Sequence, residues 1–244
     1  MKKQLIILST QRSGSTMLCD DIQGTGQLGY PSEYFIDTIE KFVANKNTSE
    51  LSSSFYSAIK NGKSNNGIES MKIMSNQIFV IGEIISKISN DKEEALNCFY
   101  KYISSGYIIL LERKDKVAQA VSRILARQRK IYHLVDKNSN EELRGVGLQT
   151  NDLEENANLV YSKKEIEDEI ENIKKEEIFL LDFLSNYKIN YKKLYYEDIV
   201  ENRDYVYEIV TAFEIKNITL QPRRLKKIAG SIGDEWIKRY KAEN

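Results

Sequence analysis

The chain has 244 residues, with 36 Lys and Arg balancing 36 Asp and Glu, and holds one His, two Cys and two Pro. Such a length suits a single α/β domain whose core is large enough to need no staples. A formal charge of zero argues against a generic polyanion binder, because nucleic-acid modules usually carry a basic excess, although local basic clusters can still take single phosphates.

The opening "MKKQLIILSTQR" contains one short apolar run, Leu5 to Leu8, too short for the apolar region of a secretory leader. No later run approaches the roughly 20 apolar residues of a membrane span. Cys19 and Cys98 lack metal-ligand spacing and read as buried thiols of a reducing compartment. A soluble cytoplasmic protein is expected, a single domain over 1–244 with no Pro-rich linker.

In chain order, Gln4–Leu8 reads as a buried strand, followed by a helix from about Thr16 to Gln23. Gly67–Met74 reads as a second strand with a helix over Asn76–Ser89 behind it. Gly106–Arg113 is the clearest strand, and Val117, Val121, Ile124 and Leu125 then mark one apolar helix face reaching roughly Lys130. Asp136–Ala157 is rich in Asn, Asp, Glu and Gly without a period, and reads as a mobile loop or lid. A long helix opens at Ser162 with Glu165 as a capping box, and Ile166, Ile170, Ile173, Leu181 and Leu184 form its stripe. The charged face of Lys163–Glu177 reads as solvated, and the stripe beside it offers a dimer seam. Ile189–Asp198 reads as a further strand, with two terminal helices after it.

Strands alternating with helices predict an α/β fold with a central parallel sheet flanked by helices. Ligands of such sheets bind beyond the carboxyl ends of the strands. Ser9–Thr16 and Arg113–Ser122 both fall at that edge. In the first, "STQRSGST", a turn into a helix presents backbone N–H groups and a positive dipole end. Gly14 lets the turn curl, while Arg12, Ser13, Ser15 and Thr16 add charge and hydroxyls. The loop lacks the "GK" of the nucleotide-phosphate loop. In the second, Arg113 ends a strand and Ser122 lies on the next helix, able to grip another phosphate. Glu33, among Tyr30, Tyr34 and Phe35, has the surroundings of a partly desolvated general base. Taken singly, these segments also read as a capped helix with a surface Arg, an ordinary amphipathic helix and an exposed loop Glu.

Together, "QRSGSTMLC", "GYPSEYF", "ERKDKVAQAVS", "LYYEDI" and "QPRRLKKIAGSIGDEWIKRY" resemble, in order, segments of the sulfotransferases that use 3'-phosphoadenosine 5'-phosphosulfate. The specific resemblance is to the bacterial trehalose sulfotransferase (Stf-type) family, which implies a P-loop NTPase-like sulfotransferase fold. It implies that Arg12 meets the bridging or sulfuryl oxygens of the donor, and that Ser13, Gly14, Ser15 and Thr16 hold its 5'-phosphate. Arg113 and Ser122 correspond to the 3'-phosphate contacts, with Tyr196 approaching the adenine and Arg223 or Arg224 helping to enclose the 3'-phosphate. Glu33 corresponds to the base; Tyr30, Tyr34, Phe35 and Lys72 line the acceptor side, and no metal is required.

His133, the one histidine, is a rival base, or else a helix-end residue or an acceptor contact. The family pattern carries a Trp near Tyr132 and His133 that this chain lacks, so trehalose is not carried over as acceptor. The expected acceptor is a hydroxyl of a carbohydrate or glycolipid-like molecule, with another hydroxylated metabolite left open. Neither nucleic acid nor a membrane span is expected, and the family allows a homodimer. A small P-loop kinase and a non-catalytic nucleotide-binding module are the alternatives.

Overall fold

A computed structural model describes residues 2–130, 159–224 and 231–243. Its centre is a four-stranded, all-parallel sheet in the order β2-β1-β3-β4. The strands are β1 (Gln4–Ser9), β2 (Glu69–Met74), β3 (Tyr107–Glu112) and β4 (Tyr191–Tyr195). Strand β1 is buried at every position, as a central parallel strand covered on both faces must be.

Side chains alternate across the sheet. Ile6, Leu8, Met71, Ile73, Ile108 and Leu110 form one core with residues from the helical elements on that side. Leu5, Ile7, Ile109 and Leu111 form the other, with Leu18 and Ile22 of α1 (Ser15–Gln23). The same alternation turns Lys72 away from Met71 and Ile73, toward α1. The first core is covered by α2 (Ile36–Val43), α3 (Thr48–Asn61), α4 (Ile78–Ser89), α5 (Ala95–Ile103) and the C-terminal half of α7 (Lys163–Asn186). A third apolar cluster joins α6 (Lys116–Arg129), the N-terminal half of α7 and α10 (Ser231–Ala242) through Val121, Ile124, Ile166, Ile173 and Trp236.

Several elements differ from the sequence reading. The helix expected from Asn76 begins as a 3-10 turn, Ser75–Gln77, before α4. The strand expected to run to Asp198 ends at Tyr195, because Tyr196–Glu201 forms a short helix, α8. Glu197 of α8 accepts the backbone N–H groups of Lys114 (2.9 Å) and Asp115 (3.1 Å), which pins the turn to the end of β3. Helices α2, α3 and α5 were not anticipated. α9 (Asp204–Ala212) and α10 are the terminal helices.

Helix α7 starts where expected, with Ser162 Oγ accepting the Glu165 N–H at 3.2 Å. The Glu165 carboxylate, however, pairs with Arg127 instead of closing the box. Its stripe does not form an exposed seam: Ile166, Ile173 and Leu184 are buried against the chain's own core. Nor is its charged face fully solvated, since Glu169 and Glu177 turn inward to Arg123 and Lys116. No helix of the described residues is long and apolar enough to cross a membrane. The expected loop Asp136–Ala157 and His133 lie outside the described residues.

Candidate active site

The carboxyl ends of the four strands lead into Thr10–Gly14, Ser75–Gln77, Arg113–Asp115 and Tyr196. The loop after β1 reaches α1 through two left-handed residues, Arg12 (φ 59°) and Gly14 (φ 90°). Gly14 is required on two counts, since a Cβ there would also lie 2.1 Å from Cδ2 of Tyr196. Its carbonyl accepts the N–H groups of Met17 and Leu18 and so starts α1. The N–H groups ahead of that first turn have no intrahelical acceptor, which makes this end of α1 an anion site in principle. Ser13 is fully buried, and its Oγ has no hydrogen-bond partner among the described residues.

The two sequence-distant halves of the expected donor site meet here. Arg12 Nε donates to Ser122 Oγ at 3.0 Å, across 110 residues of chain. Burial and then the like charge of Arg113 hold the Arg12 guanidinium below its ordinary pKa, with Tyr196 acting in the opposite direction. The Arg113 guanidinium lies 4.8 Å from the centre of the Tyr196 ring, within cation–π range. Arg113 Nε is buried and has no hydrogen-bond partner among the described residues. Two like-charged guanidinium groups thus lie close together at the loop that leads into the α1 N-terminus, an arrangement an anion would stabilise.

On the other side of α1, Glu33 meets Lys72 rather than an aromatic wall. Lys72 Nζ stands 2.9 Å from one Glu33 oxygen, with side-chain exposures of 3 % and 21 %, and 3.4 Å from Thr16 Oγ1. Gln77 Nε2 donates to the second Glu33 oxygen at 3.3 Å while its Oε1 accepts the Met74 N–H at 3.0 Å. Lys72 therefore links the first turn of α1 to the Glu33 carboxylate, and Gln77 fixes that carboxylate's orientation. Beneath them the buried Cys19 thiol is pushed up to about 12 by burial, with Lys72 pulling it down and Glu33 and Asp20 pushing it up.

Other expected site residues lie elsewhere. Phe35, 1 % exposed, sits in the core against Phe55, ring centres 5.1 Å apart, so it does not line an acceptor surface. Tyr34 packs against the same core. Tyr30 lines a hollow of about 690 Å³ at the far end of α1, with Gln23, Thr25, Asn217 and Gln221. Arg223 grips Asp21 at 2.7 Å and donates to carbonyls of α8; Arg224 grips Asp20 at 2.7 Å. Both arginines thus satisfy carboxylates buried in α1, which would be costly to leave unpaired.

The sequence matches the description "Stf0 sulphotransferase" over residues 4–243. The chain belongs to the Stf0 sulphotransferase family. No curated protein matches it. Membership in a sulphotransferase family makes the protein a transferase of the sulfuryl-transferring class, and the sheet with flanking helices accords with that fold.

Sequence reasoning missed three side chains in this Stf0 family member: Gln77, Gln119 and Arg123. Gln77 follows the strand bearing Lys72, and its place three residues beyond Met74 was the available signal. Gln119 and Arg123 sit beside Ser122 on α6 but face the back of the β1 loop. A one-turn spacing on α6 could have flagged the pair, but not their target.

Proposed function

We propose that this protein transfers a sulfuryl group from 3'-phosphoadenosine 5'-phosphosulfate to a hydroxyl of a carbohydrate or glycolipid-like acceptor. The observation that carries the reading is the contact of Arg12 with Ser122, with Arg113 close enough to depress Arg12. It joins the loop suited to a 5'-phosphate to the strand and helix suited to a 3'-phosphate. Ser13 Oγ and Arg113 Nε, buried and without a hydrogen-bond partner among the described residues, fit an anionic donor, because buried polar atoms are rarely left unsatisfied. Cations and hydroxyl donors at one point suit phosphate oxygens better than a metal ion.

When bound, the donor supplies an activated sulfuryl group on its 5'-phosphate. Ser13, Ser15, Thr16 and the α1 N-terminus hold that phosphate, and Arg12 offsets the charge that builds on its bridging oxygen. Arg113 and Ser122 hold the 3'-phosphate, with Tyr196 along the nucleotide. Glu33 removes the acceptor proton as the new oxygen–sulfur bond forms and the bond to the 5'-phosphate breaks. Lys72, between Thr16 and Glu33, orients the carboxylate toward the transferred group. Adenosine 3',5'-bisphosphate is released. As in phosphoryl transfer, most of the catalysis is positioning and electrostatics.

The test is transfer of label from sulfur-labelled donor into a panel of sugars and glycolipids. Label in one acceptor class, lost in Glu33→Gln, is the expected result. Labelling in which Glu33→Gln equals the wild type would move the base elsewhere, His133 being the first candidate.

A further inference from the structure

Behind the β1 loop lies a buried cation that the proposed reaction does not use. Arg123 of α6, 5 % exposed, donates Nε to the Gln11 carbonyl at 2.9 Å. Its other nitrogens grip Glu169 at 3.0 Å and Glu176 at 3.0 and 2.9 Å on α7. Glu176 also accepts the Ser75 hydroxyl at 3.0 Å, and Glu169 takes Arg127 at 2.7 Å. With two carboxylates on it, Arg123 has its charge balanced within the protein, unlike a group held ready for a donor.

Gln119, one turn earlier and fully buried, donates Nε2 to the same Gln11 carbonyl at 2.8 Å and to Thr10 Oγ1 at 2.8 Å. Its own Oε1 has no partner among the described residues. That is an unfavourable arrangement for a side chain serving only the core. Both donors converge on the peptide leading into Arg12, whose left-handed backbone (φ 59°) is a strained state that persists only where its surroundings over-determine it. A planar trans peptide sets N–H opposite C=O. Pinning the Gln11 carbonyl to α6 therefore aims the Arg12 N–H away from α6 and fixes where the Arg12 side chain departs.

We propose that Gln119 and Arg123 are positioning residues for donor binding: they clamp the Gln11 carbonyl and thereby preset the left-handed Arg12 turn that presents the loop to the donor. The inference rests on the β1 loop being the donor site, and it goes beyond that reading by placing part of the affinity in residues that never touch the donor. Preset geometry of this kind matters because displacements of about 1 Å can lower rates by about a hundredfold.

The experiment compares full-length wild type, Gln119→Met, Arg123→Lys and Glu169→Gln by amide hydrogen exchange over residues 10–16, thermal melting, and titration with adenosine 3',5'-bisphosphate. Gln119→Met removes both loop contacts and leaves the ion pairs to α7 intact. Glu169→Gln weakens the ion pairs and leaves the clamp. Gln119→Met is expected to speed exchange of the loop by about tenfold or more and to weaken bisphosphate binding by about tenfold. Glu169→Gln is expected to lower the melting temperature with loop exchange and affinity near wild type. Arg123→Lys keeps the charge and should fall between them. Wild-type loop exchange in both folded Gln119→Met and Arg123→Lys would overturn the clamp. A wild type that binds no bisphosphate would sink the donor reading instead, and the exchange comparison would still decide the clamp.

Discussion

Glu33 has both of its oxygens engaged, one by Lys72 and one by Gln77, so its position does not depend on an acceptor being present. Glu33→Gln keeps the size of the group and removes its capacity to take a proton. Turnover should fall by about 10²–10⁴-fold, while affinity for adenosine 3',5'-bisphosphate stays within about threefold of wild type; steady-state rates and calorimetry check the two separately. Lys72→Met should destabilise the fold by about 2 kcal/mol in urea melts, below the roughly 3–5 kcal/mol of a fully buried pair, because Glu33 keeps some solvent. Cys19 offers a reporter of the same region. With its thiol raised to about 12 by burial, almost no thiolate exists at neutral pH, so native protein should resist an alkylating reagent that labels Cys19 after denaturation. At this scale the sequence was legible in local geometry, as at the turn through Arg12 and Gly14, whose backbones are left-handed. It was misleading at Phe35, whose place beside Glu33 says nothing of the core packing that buries it. Gln77 and Gln119 were invisible because an amide's role is set by whatever folds against it.

The turn from β1 to α1 has little room for change. Gly14→Ala would combine a left-handed φ of 90° with a Cβ 2.1 Å from the Tyr196 ring. Adding Tyr196→Ala clears the ring and leaves the backbone strain, so bisphosphate affinity should be lost in the single mutant and only partly restored in the double. Helix α6 is capped by Asp115, whose carboxylate accepts the Ala118 N–H at 2.8 Å. Burial pushes the Asp115 carboxyl up, but that N–H, Lys241 and Arg113 outweigh it and hold it below its ordinary value. A depressed carboxyl contributes stability that is present above its unfolded pKa and lost as pH falls through the folded one. The stability difference between wild type and Asp115→Asn should therefore be largest near neutral pH and shrink on acidification, measured by urea melts across the acid range. Strands β1 and β3 were readable as apolar runs because buried parallel strands carry apolar side chains on both faces, whereas β2 mixes Ser70 and Lys72 with Met71 and Ile73. Helix α3 was not, although Asn47 accepts the Glu50 N–H at 2.9 Å as its cap; its serine-rich body hides the apolar face. β4 was read too long because the turn at Tyr196 depends on Glu197 reaching the end of β3, a contact made across 83 residues.

Across the whole molecule, the parallel sheet gathers four loops at one edge, and α1 runs between the two halves of the proposed site. On one side stand Arg12, Arg113 and Ser122; on the other, Glu33 with Lys72 and Gln77, and Thr16 on α1 reaches Lys72. Helix α7 braces both, since Glu176 holds Arg123 behind the β1 loop and Ser75 ahead of Gln77. In the proposed function this edge recognises a nucleotide by its 3'-phosphate as well as its 5'-phosphate. Calorimetric titration with adenosine 3',5'-bisphosphate, 5'-AMP and ATP–Mg²⁺, repeated on Ser122→Ala and Arg113→Ala, tests it most directly. The bisphosphate should bind at least about tenfold tighter than 5'-AMP, with that preference lost in Arg113→Ala. Equal or tighter binding of ATP–Mg²⁺, unchanged by either substitution, would contradict it.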